Sequence, residues 1–159
     1  MIIEYNEAFE KEVKDLLQEL QEYIVSIDKE GYNILTKNYK DEYFKKTFEE
    51  IKKYEGKMFL LKRNQKIAGL IVGLINNEEI DTYDFKCPKR GRISELIVAQ
   101  SERNTGAGTL LLKSMEQYLK NLGCKDILIG VFAYNNDAID FYKKNNYHTR
   151  YIEMTKEME

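Results

Sequence analysis

The sequence has few of the residues that build disulfide frameworks and metal centres. Its 159 residues include two cysteines, one histidine, one proline and no tryptophan. Cys87 and Cys124 are far apart in the chain and form no C-x-x-C pair, so we expect two reduced thiols and no disulfide. Because His148 is the only histidine, the chain offers no ligand set for zinc, and we expect no metal.

Long apolar runs and an excess of basic charge are also missing. The longest apolar stretch, residues 67–75, is nine residues long, whereas a membrane-spanning helix needs about 20. The N-terminus lacks a basic start and an apolar leader, which predicts a cytoplasmic protein without a membrane partner. Lys and Arg number 25 against 27 Asp and Glu, and this net charge of −2 disfavours a nucleic-acid partner.

The chain does have enough apolar mass for one packed core. Hydrophobic residues make up 43% of the composition and charged residues 33%, as in globular domains and unlike disordered segments. No repeat, low-complexity segment or linker divides the sequence, so we expect a single domain over residues 1–159.

Hydrophobic periodicity predicts a mixed α/β domain in which strands and helices alternate through the C-terminal half. Strands are expected at residues 2–5, 58–62, 66–75, 92–98, 127–132 and 147–154. Helices are expected after Asn6, in the passage that Gly56 ends, over residues 109–122, and after Asn135 or Asn136. The strand at 127–132 is apolar enough for the buried middle of a sheet.

A glycine loop between the strand that ends at Val98 and the next helix points most directly to chemistry. It reads R-x-x-G-x-G from Arg103 to Gly108. The first-turn N–H groups of a helix favour an anion, glycine lets a phosphate approach, and arginine adds a bidentate donor. No Lys-Ser or Lys-Thr follows, and Leu111 stands at the third position of a dinucleotide fingerprint, so ATP and NAD are disfavoured. An ordinary strand-to-helix turn is the alternative.

A second motif, V-x-x-x-N-x-x-A-x-x-F-Y, follows at residues 131–142. In this order and separation the two motifs resemble the acyl-CoA signature of the GCN5-related N-acetyltransferase (GNAT) superfamily, and the resemblance covers residues 92–147. It implies a mixed, mostly antiparallel central sheet flanked by helices, in one N-acetyltransferase domain. It also implies transfer of an acetyl group from acetyl-CoA to an amine by direct attack in a ternary complex.

The resemblance further implies which residues bind the acyl donor. The backbone of Leu96, Ile97 and Val98 would pair with the pantetheine arm. The residues that would hold the pyrophosphate are Arg103, Asn104, Thr105, Gly106, Ala107, Gly108 and Thr109. Asn135 matches the family asparagine that contacts the cofactor, although the role of a helix N-cap accounts for it equally well.

Two catalytic roles follow from the same resemblance. Tyr142 matches the family tyrosine that protonates the departing thiolate, and a phenol with a pKa of about 10 is protonated at neutral pH; the alternative is an aromatic on a helix face. Glu95 is the candidate base, and strand alternation places it opposite Ser94 unless a bulge intervenes; the alternative is an exposed strand glutamate. Some family members that act on protein N-termini carry an acid where this chain has Gly130, and this departure favours Glu95.

Two positions near the second motif carry smaller expectations. Asn146 stands where the family often has glycine, and asparagine tolerates the left-handed backbone that this turn needs. His148 lies beyond the motif and is expected to be a surface or packing residue.

The sequence says least about the amine that accepts the acetyl group. In the family it is bound by the segment around the first two helices and by the loop before the glycine-loop strand. The carboxylates and aromatics there are Asp28, Tyr32, Tyr39 and Tyr43, and then Glu78, Glu79, Asp81, Tyr83 and Asp84. They suit a small cationic amine, such as a polyamine, an aminoglycoside-like compound or an amino acid, or they form a solvated acidic surface.

Other functions stay open at this point. They are a protein lysine or N-terminal acetyltransferase, a non-catalytic acyl-CoA-binding module, and a phosphate-binding module for another nucleotide. A longer acyl-CoA in place of acetyl-CoA is also open. Family members often form homodimers through their C-terminal strands, of which these residues give no independent sign.

Overall fold

The computed structural model describes residues 1–76 and 88–158. In these residues five strands form one sheet in the order β1 (Ile2–Glu4), β2 (Lys57–Arg63), β3 (Lys66–Ile75), β4 (Arg90–Val98) and β5 (Asp126–Ile129). Strands β1 to β4 pair antiparallel, and β5 runs parallel to β4. The longer helices are α1 (Glu10–Ile27), α2 (Tyr39–Lys53), α3 (Ala107–Asn121) and α4 (Asn136–Lys144). The expected mostly antiparallel sheet flanked by helices is confirmed.

Helices cover the two faces of the sheet with separate apolar clusters. On one face α1 and α2 pack on β2 and β3, with Leu17 and Leu70 in contact at the centre. On the other face α3 packs on β3 and β4 through a stripe that includes Met115 and contacts Ile71. Gly73 permits this approach, because a Cβ there would overlap the Met115 sulfur. None of the helices within residues 1–76 and 88–158 has the length and apolar character to cross a bilayer.

The residues that follow α2 and α4 end these helices in different ways. After α4, Asn146 has a φ of 66°, so the left-handed turn expected of asparagine is confirmed. After α2, the left-handed residue is Glu55, with a φ of 47°, and not its glycine neighbour. Gly56 is required for packing instead, since a Cβ there would lie 2.5 Å from the Leu74 side chain.

The two expectations for the C-terminal strands are wrong. β5 spans Asp126–Ile129 and not 127–132, and it is a half-buried edge strand and not the buried middle of the sheet. No strand forms at 147–158, where Tyr151 and Met154 are exposed. A strand needs a partner for its backbone hydrogen bonds, and in the described part of the chain β5 pairs with β4 alone.

Candidate active site

The edge of β4 that faces away from β3 is only half covered. β5 pairs with β4 from Arg90 to Ile93, and there the pairing stops although β4 continues to Val98. Arg90 fixes this short contact, since its guanidinium donates to both oxygens of Asp126 at 2.6 and 2.7 Å. Among the described residues, no strand covers this edge of β4 between Ser94 and Val98.

The open edge presents the backbone of alternate residues. Ala99 N donates to Ala68 O on β3 at 2.9 Å, and because successive residues of a strand point to opposite edges, Ile97 also faces β3. The Ile97 carbonyl indeed lies against Gly69 of β3. Leu96 and Val98 therefore direct their N–H and C=O groups to the open edge, while the backbone of Ile97 is committed to the sheet.

A β-bulge in β4 determines where Glu95 points. Glu95 pairs with Val72 and Ile93 pairs with Gly73, so Ser94 is an extra residue without a partner on β3. Ser94 lines a groove of about 360 Å³ beside α2, and Glu95 also contacts α2. The expectation that strand alternation places Glu95 on the face opposite Ser94 is wrong, because the bulge turns both side chains to the α2 face.

Glu95 is held by Tyr43 of α2, whose hydroxyl donates to Glu95 Oε1 at 2.5 Å. Burial raises the pKa of Glu95 to about 7, and the hydrogen bond from Tyr43 and the charge of Lys46 oppose this rise. The carboxylate of Glu50 adds to it. Glu95 is thus a half-buried group that changes its protonation near neutral pH, as a general base requires, and not an exposed strand glutamate.

Tyr142 lies on α4, within electrostatic reach of Glu95. Its ring contacts the rings of Phe141 and Tyr147 at centroid distances of 5.2 and 5.6 Å. Burial and, second, the charge of Glu95 raise the pKa of Tyr142 to about 12, so the hydroxyl stays protonated at neutral pH. This hydroxyl makes no hydrogen bond to residues 1–76 or 88–158, and it can donate to a ligand.

The glycine loop is braced from the end of β2. Arg63 donates to Glu102 Oε2 at 2.8 Å and to Thr105 Oγ1 at 2.7 Å, and the Thr105 hydroxyl donates to Glu102 O at 2.7 Å. Asn104 and Gly106 take left-handed backbone, with φ of 61° and 80°. These contacts fix the loop before α3 begins.

The N-terminus of α3 suits an anion. The first intrahelical bond runs from Leu110 N to Gly106 O at 3.1 Å, so the amides of Ala107, Gly108 and Thr109 have no acceptor in the described chain. A Cβ on Gly106 would meet no atom within 4 Å, which shows open space at the loop. The helix dipole adds to the attraction for phosphate.

Gly108 also has a packing role, beside the approach to phosphate that the sequence predicts. A Cβ there would lie 3.1 Å from the Phe141 ring and 3.8 Å from the Val98 side chain. The missing side chain therefore lets α4 pack against the start of α3. Because Phe141 precedes Tyr142, this packing also places the candidate acid.

Arg103 and Asn135, the other two residues expected to bind the acyl donor, both contact Tyr23 of α1. Arg103 Nε donates to Val98 O at 3.2 Å, and its guanidinium lies 5.8 Å from the Tyr23 ring centre. The Tyr23 hydroxyl donates to Asn135 Oδ1 at 3.2 Å, and Ala138 N donates to the same oxygen at 3.3 Å. Asn135 is therefore an N-cap of α4 whose amide nitrogen has no acceptor in the described chain.

The acceptor candidates are dispersed. Tyr39 stacks on Tyr43, with ring centres 5.0 Å apart and planes 14° apart, so these two rings do lie beside Glu95. Asp28 accepts hydrogen bonds from two backbone amides and from the side chains of Asn33 and Tyr134, which hold its pKa well below the ordinary value. That carboxylate organises the loop after α1. Tyr32 is exposed, and the five candidates between residues 78 and 84 lie outside the described residues.

Sequence reasoning missed two supporting residues, Tyr23 and Arg63, and one contact, the hydrogen bond from Tyr43 to Glu95. Arg63 lies 42 positions before Thr105, and Tyr43 lies 52 positions before Glu95. No local pattern connects such pairs. The one signal in the sequence was an aromatic helix face together with a single carboxylate on a strand. It could have indicated the contact between Tyr43 and Glu95.

Comparisons with known proteins agree with this geometry. A model of the Acetyltransferase (GNAT) family matches residues 14–147. An N-alpha-acetyltransferase of Sulfurisphaera tokodaii is 27% identical over 102 residues, which span 60% of this chain and 59% of that protein. The chain thus spans about three fifths of the length of that relative.

Two solved structures show the same fold at low identity. The aminoglycoside 6'-N-acetyltransferase AAC(6')-IG of Acinetobacter haemolyticus has a TM-score of 0.72 at 14% identity, over 100% of this chain and 99% of that chain. Glucosamine-6-phosphate N-acetyltransferase of Arabidopsis thaliana has a TM-score of 0.68 at 21% identity, over 100% and 98%. With the family match over most of its length, the chain belongs to the acetyltransferase (GNAT) family.

Proposed function

We propose that the protein is an N-acetyltransferase that transfers the acetyl group of acetyl-CoA to a primary amine in a ternary complex, with residues 1–159 as one domain. One observation carries the proposal: the open edge of β4 leads to the unpaired amides at the start of α3. Glu95 lies on the α2 face of this edge, and Tyr142 packs with the α3 cluster on the other face.

The acyl donor, acetyl-CoA, would lie along β4. Leu96 and Val98 offer backbone groups to the amides of the pantetheine arm, and the amides at residues 107–109 offer three donors to the pyrophosphate. Arg103, which now donates to the Val98 carbonyl, would turn its guanidinium to the phosphates and free that carbonyl for the donor. Asn135 has its amide nitrogen available for the same ligand.

The reaction would then use the two titratable groups in sequence. Glu95 accepts a proton from the ammonium form of the acceptor, directly or through a water, and the free amine attacks the thioester carbonyl carbon. The new C–N bond forms and the C–S bond breaks. Tyr142 donates its proton to the departing thiolate, and the proton that the attacking nitrogen then loses returns through water to the Tyr142 phenolate. Glu95 releases its proton to solvent, and the products are an amide and the thiol of CoA.

The acceptor would be a small cationic molecule such as a polyamine, an aminoglycoside-like compound or an amino acid. The groove of about 360 Å³ beside α2 is lined by Glu50, Tyr54 and Arg92 among others, and by Ser94, the neighbour of Glu95 in the chain. The Glu50 carboxylate with an aromatic ring suits an ammonium group. The similar enzyme from Acinetobacter haemolyticus is an aminoglycoside acetyltransferase by name. We further propose a cytoplasmic location, with a homodimer as an additional possibility.

A protein N-terminal acetyltransferase is the second candidate. The relative from Sulfurisphaera tokodaii carries the name N-alpha-acetyltransferase, which favours it. The glycine at position 130 disfavours it, because the acid that some such enzymes use there is missing.

A two-step experiment tests the proposal. Thermal unfolding is followed with acetyl-CoA, CoA, ATP and NAD, since a ligand at 100 times its dissociation constant stabilises by about 2.7 kcal/mol. Thiol release is then measured with spermidine, an aminoglycoside, free amino acids and short peptides. We expect stabilisation by acetyl-CoA and CoA and turnover with a small amine. Stabilisation without turnover would indicate a binding module, and equal stabilisation by ATP or NAD would refute the donor site.

A further inference from the structure

Tyr43 has several contacts that hold it in place. Its ring stacks on the Tyr39 ring at 5.0 Å, and the Lys46 ammonium lies 5.3 Å from its ring centre. Its backbone carbonyl accepts a hydrogen bond from Thr47 Oγ1 at 2.8 Å, and Thr47 is buried. The one polar atom at the tip of the ring, the hydroxyl, is directed at Glu95 Oε1.

The Glu95 carboxylate has no other hydrogen-bond partner in residues 1–76 and 88–158. Oε1 is occupied by Tyr43, and Oε2 is left without a donor. A carboxylate on a strand can rotate about its side-chain torsions, and a single strong hydrogen bond from a fixed donor removes much of that freedom. The orientation of the carboxylate therefore depends on Tyr43.

We propose that Tyr43 is a positioning residue of the transfer reaction, whose hydroxyl orients the Glu95 carboxylate so that Oε2 is left to accept the proton of the amine. The inference rests on the proposed role of Glu95 as the base. In this proposal Tyr43 contacts the base Glu95. The sequence alone instead places Tyr43 in contact with the acceptor, because its segment carries carboxylates and aromatic residues.

The surroundings of Glu95 define the expected electrostatic effect. The charged and titratable groups that face it are Tyr39, Tyr43, Lys46 and Glu50 on α2 and Tyr142 on α4. Burial raises the pKa of Glu95, and the bond from Tyr43 is the largest influence that lowers it. Burial and the charge of Glu95 hold the pKa of Tyr43 well above its ordinary value, so Tyr43 remains a donor over the whole working range.

The variant Tyr43→Phe keeps the ring and removes the hydroxyl. A hydrogen bond to a charged group lost at this site raises the pKa of Glu95 by about one pH unit or more. The acidic limb of the kcat/KM profile for the amine should move to higher pH by the same amount, with most of the rate recovered on the alkaline plateau. Tyr118→Phe is the matched control, because its hydroxyl donates to Glu55 O, far from Glu95, and the limb should not move.

Titration of the Glu95 carboxyl carbon by NMR in the free protein gives a readout that does not depend on activity. Tyr43→Phe should shift this titration upward and Tyr118→Phe should not. If Tyr43→Phe leaves both the NMR titration of Glu95 and the acidic limb in place, with or without a loss of rate, the positioning role is refuted. Full activity of Glu95→Gln would instead refute the proposed base, and the NMR shift would still report on the bond from Tyr43.

Discussion

The cost of keeping Glu95 ionised in its half-buried position should appear in the stability of the protein. Burial raises the pKa of Glu95 from the ordinary value of 4.5 to about 7. Between these values the folded state binds more protons than the unfolded state, so stability falls as the pH rises through this window. At about 1.4 kcal/mol for each pKa unit the loss reaches about 3 kcal/mol, and partial exposure of the side chain reduces it to about 2 kcal/mol.

The variant Glu95→Gln removes this charge and keeps an oxygen for Tyr43. We expect it to match the native protein in stability at pH 4 and to exceed it by about 2 kcal/mol at pH 8, measured by urea unfolding at several pH values. Glu49→Gln is the control, because Glu49 is exposed on α2 and pairs with Lys45 at 3.9 Å; its effect should stay within about 0.5 kcal/mol at every pH. A Glu95→Gln variant without a pH-dependent gain would refute the reasoning.

Four further substitutions separate the other roles. Tyr142→Phe should lower kcat about 100-fold with acetyl-CoA affinity nearly intact, and equal losses in kinetic and binding assays would contradict its role as the acid. Gly108→Glu should abolish acetyl-CoA binding in thermal shift, because the new side chain must displace Phe141, whereas Gly106→Ala should cost about 1 kcal/mol of stability for its left-handed backbone; normal binding by Gly108→Glu would contradict the site. Arg63→Met should raise the Kd for acetyl-CoA about tenfold by releasing the loop, and an unchanged Kd in calorimetry would show that the brace is dispensable.

The elements that the sequence predicts best are those whose signal is local. The uninterrupted apolar run at 67–75 becomes the buried part of β3, and the helical stripe through Leu111 and Met115 becomes the buried face of α3. The strand expected at 147–154 fails for the opposite reason, since a strand forms only where a partner edge is available. The sequence of residues 147–154 does not show whether this segment will pair with β5.

In the candidate site, too, the residues with a local sequence signal are predicted and those that depend on distant contacts are not. The glycine loop and Tyr142 are recognisable because each belongs to a contiguous motif with fixed spacing. Glu95 could be proposed as a base, but its environment depends on the bulge at Ser94 and on a tyrosine 52 positions earlier in the chain. The packing of Phe141 against Gly108 also depends on two helices that only the fold brings together.

Amide hydrogen exchange with and without acetyl-CoA tests the central claim most directly, namely that the donor lies along the open edge of β4 and ends at α3. The account predicts that acetyl-CoA slows exchange at Leu96, Val98 and Gly108. It also predicts no change at Ile97, whose backbone already pairs with β3. Unchanged exchange at Leu96 and Val98 in a protein that acetyl-CoA stabilises would contradict the account.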